Sequence, residues 1–269
     1  MVYAPLRALL QSSSHGEYYS HIVLIPLVSL YLLFQKRKAI FADPAYSFNA
    51  GLPVLLIGAL LYLGVQVFNP QLSQNDFTSI LVASTVIFMN GAFLLCYGAR
   101  AFKAALFPLL FLIFMIPFPV ELMDAFIYVL QVGSTEFTNL LFMASGVPFV
   151  REGFVFHLPG MTIEVAKQCS GIRSSLALLI TSILAGHLFL NSGWRKVILA
   201  VCIIPITMFK NGIRILVLTL LGTYVDPRWL TESSLHRDGG IVFFVLALLL
   251  MAPILFFLRK SEKTVTRDK

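Results

Sequence analysis

Charge is what this sequence has least of. Only 12% of its 269 residues are Asp, Glu, Lys or Arg, about half the ~25% usual in a soluble domain. That leaves too little charge to cover a water-solvated surface. With 58% hydrophobic residues, the chain reads as an integral membrane protein with little mass outside the bilayer. Cysteine is nearly as scarce. Cys96, Cys169 and Cys202 share no paired or metal-type spacing, so neither a disulfide framework nor a zinc site is expected, and no cofactor is implied. No secretory signal peptide is expected in the first twenty residues, where Arg7 is followed by neither a sustained apolar core nor a small-residue cleavage site. No period of repeats and no matched pair of broken helices points to an inverted-repeat transporter. Basic residues outnumber acidic ones, 20 to 13, but they lie in short clusters beside apolar runs, where they orient helices. A nucleic-acid partner is not expected.

What is present is a series of apolar runs. They cover about 20–34, 50–68, 79–98, 104–117, 171–190, 197–224 and 239–258. The expected fold is therefore an all-α, polytopic transmembrane helical bundle of about seven spans of roughly 20 residues, with the first and fourth runs short unless polar flanking residues extend them. Residues 1–269 read as a single integral membrane domain. The run at 197–224 is interrupted by Lys210-Asn-Gly-Ile-Arg214 and is either one tilted helix or one broken near Gly212. The segment 121–145 carries Glu121, Asp124, Gln131, Glu136 and Asn139, which suits an amphipathic interfacial helix or a re-entrant pair better than a lipid-exposed span.

The positive-inside rule gives an orientation. With the Lys36 cluster in the cytoplasm, the Arg100/Lys103, Arg195/Lys196 and Arg259/Lys260 clusters also fall there, provided that 121–145 makes no net crossing. The loop before Cys169 and the loop from Asp226 to Asp238 then face outward.

The chemistry centres on Val165-Ala-Lys-Gln-Cys169-Ser-Gly-Ile-Arg173-Ser-Ser175, a polar island between the Pro159-Gly160 loop and a long apolar run. Ser170 and Gly171 are capping residues for the helix that follows. A thiol at a helix mouth feels the positive helix end, and Arg173 falls on the same face if the turn is already formed. Both favour the nucleophilic thiolate. The plainer reading makes Cys169 a small packing residue, as Cys96 and Cys202 are expected to be inside their apolar runs.

Two further groups fall at the same outer level. Arg214 costs about 2.5 to 3.5 kcal/mol if placed at the bilayer centre, so it either snorkels to headgroups or lines a polar cavity with Lys210. His236 precedes the last span; the plain reading is a solvated loop histidine. His157 and His21 rival it, and His187, near the cytoplasmic end of its helix, is the weakest candidate. A cysteine, an arginine and a histidine at one membrane face make a thiol acyl-transfer site. The thiolate attacks a peptide carbonyl, the histidine moves the proton and the arginine holds the oxyanion.

These blocks resemble the exosortase/archaeosortase family of polytopic membrane transpeptidases. Tyr19-Ser20-His21 with Leu24 and Pro26 is similar to the family's N-terminal segment, and Pro117-Phe-Pro119 to its mid-chain motif. Cys169-Ser-Gly-Ile-Arg173-Ser resembles the nucleophile motif and Asn211-Gly-Ile-Arg214 the arginine motif. His236 with Gly239-Gly240 and Phe243 resembles the histidine motif of the bacterial branch. Lys167-Gln168 depart from it, since small or acidic residues are commoner before the cysteine.

The resemblance implies Cys169 as nucleophile, Arg214 as catalytic arginine and His236 as acid/base, with Arg173, Ser170 and Asn211 in support. The residue that orients His236 is left open by the sequence, with Asp238 and Asp226 both candidates. It also implies a bacterial inner-membrane enzyme facing the periplasm. Its substrates would be membrane-anchored proteins with a C-terminal sorting signal of the Pro-Glu-Pro type, passed to an acceptor nucleophile. The competing class is a non-enzymatic transporter or export scaffold, with Arg214 and Lys210 on an anion path.

Overall fold

The computed structural model describes residues 22–68, 72–167, 171–226 and 239–267. Nine α-helices and one small sheet are found among them. In order they are α1 (Leu24–Gln35), α2 (Arg37–Ile40), α3 (Phe48–Phe68), α4 (Gln74–Ala104), α5 (Leu106–Phe111) running into a 3-10 turn (Leu112–Met115), and α6 (Val120–Ser145). Strands β1 (Val150–Glu152), β2 (Val155–Leu158) and β3 (Met161–Glu164) follow. The chain closes with α7 (Ile172–Phe189), α8 (Gly193–Tyr224) and α9 (Gly239–Arg267). Five helical stretches among the described residues are long and apolar enough to cross a bilayer alone: Phe48–Val67, Gln74–Ala104, Ile172–Phe189, Gly193–Tyr224 and Ile241–Glu262. Leu106–Met115 and Val120–Ser145 pass only as a pair, broken at Pro117-Phe-Pro119. The helical, polytopic fold is as expected, with five or six spans so found. The first expected span begins outside the described residues, and its described part, α1, has 12 residues.

Contacts divide the chain into Met1–Met123 and Asp124–Lys269. In the first unit α3 and α4 pack backbone to backbone. A Cβ added to Gly58 would meet the Phe88 nitrogen at 2.6 Å, and one on Gly91 would strike the Leu55 backbone. Small residues let membrane helices approach closely where lipid supplies no hydrophobic drive between them. The α4 helix breaks at Gly98 (φ 82°), where the expected span ends. The Ser29 hydroxyl, buried in α1, donates to the Pro108 carbonyl at 2.7 Å. Arg100 pairs with Asp43 at 3.1 Å, fully in solvent reach at that end of α4. Cys96 is exposed on α4 rather than packed. An apolar run gives a helix's composition, and which face meets neighbours is decided by the fold.

In the second unit α7, α8 and α9 share a core of Leu178, Leu199, Ile203, Ile206, Ala247 and Met251. The 197–224 run is one helix, Gly193–Tyr224, unbroken at Gly212. Glu262 of α9 locks the α7–α8 corner: its carboxylate accepts the Asn191 and Ser192 backbone N–H groups and pairs with Arg195 at 3.5 Å. Arg259 lies over the Phe189 ring at 5.7 Å, so the 195 and 259 basic clusters occupy one end of this unit.

The connection between α6 and α7, expected as a loop, is an antiparallel meander in the order β1-β2-β3. Its residues alternate. Phe156 and Leu158 are buried, and His157 between them is exposed. Pro159 and Gly160 (φ 86°) make the two-residue turn that pairs Leu158 with Met161. Phe142, Phe149 and Phe156 cluster at 5.3 to 5.7 Å between ring centres, and Ile215 of α8 joins the same core. Of the polar residues singled out in α6, Gln131 turns inward to this layer, whereas Glu121, Asp124 and Glu136 are exposed. Gln131 is 5% exposed and donates to the Val165 carbonyl at 2.6 Å. Glu136 takes both terminal nitrogens of Arg151, at 2.7 and 3.1 Å.

Candidate active site

The start of α7 and the middle of α8 build the polar centre of the second unit. Gly171 caps α7 in the left-handed conformation (φ 70°, ψ 25°), a shape that only glycine adopts without cost. Its carbonyl accepts three donors, the hydroxyls of Ser174 and Ser175 and the Ser175 N–H, each at 2.9 Å. Lys210 reaches across from α8, and its Nζ donates to the Ser174 hydroxyl at 2.5 Å. A side chain on Gly171 would have no room: its Cβ would lie 3.2 Å from Lys210 Nζ and 3.3 Å from Asn211 Oδ1.

Depth follows from helix length. At about 1.5 Å per residue, Lys210 stands roughly 26 Å along α8 from Gly193. Seventeen of the eighteen residues of α7 span about the same distance. That is close to the ~30 Å thickness of a hydrocarbon core, so about one core thickness of helix separates the Lys210–Ser174 contact from the Arg195 end of α8. Beyond Lys210, residues 211–224 carry α8 onward against the sheet, where Thr223 donates to the Met161 sulfur at 3.4 Å.

Of the site residues expected from sequence, Asn211 is buried beside Gly171. Arg214 is half-buried one turn beyond Lys210 on the same helix face. Arg173 is exposed in the first turn of α7. Regular helix starts only at Ile172, after the left-handed glycine, so the helical spacing invoked to set Arg173 beside Cys169 does not apply across that residue. Cys169, Ser170 and His236 lie outside the described residues, as do His21 and Asp238.

The rival histidines are placed clearly. His157 stands on the exposed face of β2, with Nδ1 3.2 Å from the Thr162 hydroxyl and Nε2 3.6 Å from Glu152. His187 is in the last turn of α7, roughly 20 Å of helix from Ser174. Asp226 follows the end of α8, where its N–H caps the Leu221 carbonyl.

Sequence reading marked Lys210 as a companion of Arg214 but missed its partner. Ser174 and Ser175 end the polar stretch that holds Cys169 and read there as ordinary small residues; only the packing of α7 on α8 brings Ser174 to the lysine. Lys210 and Arg214 share a face of α8, at the positive end of α7. Such an arrangement favours an anion.

No curated protein and no solved structure matches the chain. The family model for transmembrane exosortases matches residues 12–253, nearly its whole length, and the chain thus belongs to the transmembrane exosortase family.

Proposed function

We propose that this transmembrane exosortase is a cysteine transpeptidase of the bacterial inner membrane, working on the periplasmic side. It cuts membrane-anchored proteins near a C-terminal sorting signal. The observation that carries the reading is the Lys210–Ser174–Gly171 contact beside Asn211. It gathers cationic and hydrogen-bonding groups at the turn that directly follows Cys169, a bilayer's depth from the Arg195 and Arg259 clusters.

The Cys169 thiolate attacks the scissile carbonyl carbon, and the carbonyl electron pair moves to oxygen. The guanidinium of Arg214 stabilises that oxyanion through fixed N–H donors. Collapse of the tetrahedral intermediate breaks the C–N bond, and His236 gives its proton to the departing amine. The thioester so formed is attacked by an acceptor nucleophile, whose proton passes to His236 as the thiolate leaves. Asn211 supports the arginine side of the site, and Ser170 and Arg173 support the cysteine side. A substrate held by its own transmembrane helix arrives with much of its translational freedom already lost, which favours reaction at a fixed depth.

Cys169→Ala tests the reading. The variant should insert normally and leave a sorting-signal substrate intact, while the unsubstituted enzyme yields a shortened product. Mass spectrometry of the new C-terminus finds an attached group if the enzyme transfers and a free carboxylate if it hydrolyses. Normal cleavage by Cys169→Ala would overturn the assignment.

A further inference from the structure

The meander has two outer edges, and they are not alike. Antiparallel strands bond through every second residue, and the residues between turn their backbone groups outward. The two-residue turn at Pro159-Gly160 makes Leu158 and Met161 a bonded pair. The same alternation is kept four residues on, where the Val165 N–H donates to the Phe154 carbonyl at 2.9 Å. Met161, Ile163 and Val165 therefore bond to β2. Thr162 and Glu164, both exposed, turn their N–H and C=O groups away from it. Among the described residues, no hydrogen bond joins these four groups to the rest of the chain. On the opposite edge only Arg151 turns its backbone out, and its side chain is held by Glu136.

Proteins commonly blunt such an edge with lysine, proline or a bulge. The strand Met161-Thr-Ile-Glu164 has none of these. It is also firmly seated. Met161 and Ile163 pack on the layer of Phe142 and Phe156, and Thr223 of α8 donates to the Met161 sulfur. Both side chains stay half-buried, so an apolar flank is left uncovered beside them. The solvent face carries Glu164, and Glu152 beside His157. Two free donors and two free acceptors on alternate residues are matched by an extended backbone. A helix has its own backbone groups paired and cannot supply that match.

We propose that β3 docks an extended segment of the substrate protein as a fourth strand of the meander. Main-chain hydrogen bonds with Thr162 and Glu164 hold the segment, and its side chains decide which sequences fit. Beside Met161 and Ile163 it places an apolar residue at every second position. On the solvent face Glu164 favours a neutral or basic neighbour over an acidic one. Glu164 is five residues before Cys169, a reach of at most about 17 Å along the chain. The inference rests on the transpeptidase reading, which makes an exported protein the ligand.

The test is residue-level amide hydrogen exchange in the full-length Cys169→Ala protein, with and without a saturating sorting-signal substrate. Thr162 and Glu164 should exchange fast in the free protein and about tenfold slower or more with substrate, while Ile163, already paired, changes little. Unchanged rates overturn the proposal. Slow exchange in the free protein also overturns it, because the chain's own residues then cover the edge. Protection that rises with enzyme concentration alone means a second copy, and overturns it too. Thr162→Pro supplies a second measurement, since proline is tolerated where the N–H points out of the ladder. Its kcat/KM should fall about tenfold, the effect of one lost hydrogen bond. Thr162→Val, which keeps the N–H, should lose about twofold at most. Equal cleavage by the two variants sinks strand addition alone, and a Thr162→Pro protein that fails to fold leaves exchange to decide. Cleavage that survives Cys169→Ala removes the transpeptidase reading itself.

Discussion

The carboxylate of Glu262, near the end of α9, accepts the backbone N–H of Ser192 at 2.6 Å and that of Asn191 at 3.0 Å. Ser192 is the N-cap of α8, and its own side chain makes no capping bond. A carboxylate from another helix therefore does the work of a cap, favoured by the positive helix end. Hydrogen bonds to a charged group contribute about 1.5 to 3 kcal/mol each at most sites. Glu262→Ala should destabilise the second unit by about 2 to 3 kcal/mol, with Glu262→Gln intermediate. Thermal unfolding in detergent checks it, and equal melting of all three proteins would contradict the clamp.

The meander is held by rings more than by ions. Arg151 and Glu136 make a bidentate pair, but their side chains are 25% and 57% exposed, so solvent screening limits the pair to about 0.5 to 1 kcal/mol. Phe156 is fully buried among Phe142 and Phe149. Its truncation to alanine should cost about 3 to 5 kcal/mol. Proteolysis of the 150–164 segment should be much faster in Phe156→Ala than in Glu136→Gln. The reverse order would refute this ranking.

Gly171 and Gly160 both have positive φ, but only Gly171 is crowded. Alanine at Gly160 meets only the left-handed backbone cost, roughly 1 to 2 kcal/mol. At Gly171 it also pushes on Lys210 and Asn211. Gly171→Ala should therefore abolish cleavage at temperatures where Gly160→Ala still cleaves. A Gly171→Ala enzyme of normal activity would show that the turn's shape is dispensable.

Arg214→Lys keeps the charge and loses the planar fork of donors. If Arg214 binds the oxyanion, kcat should fall about a hundredfold or more, with KM little changed. A variant that raises KM alone would place Arg214 in substrate binding.

Much of this architecture was legible in the sequence because a bilayer leaves few choices. Apolar runs at 171–190 and 197–224 became α7 and α8 within a few residues, and the chain breaks at Pro117-Phe-Pro119, whereas the single prolines Pro53, Pro205 and Pro253 stay inside helices. The meander was not read, since strands of three or four residues carry little signal beside twenty-residue spans. Gln131 suggested a wet surface and instead donates to the Val165 carbonyl. A polar residue on a helix states a need for a partner without saying whether water or protein supplies it. Asn211-Gly-Ile-Arg214 was conspicuous by itself. Ser174 was not, because its meaning comes from Lys210, a partner 36 positions away.

The most direct test of the central claim is peptide mapping of enzyme quenched in acid during turnover of a sorting-signal substrate. The account predicts a substrate fragment joined through a hydroxylamine-sensitive thioester to the peptide carrying Cys169. Turnover with that peptide unmodified, or with the fragment attached at another residue, would contradict it.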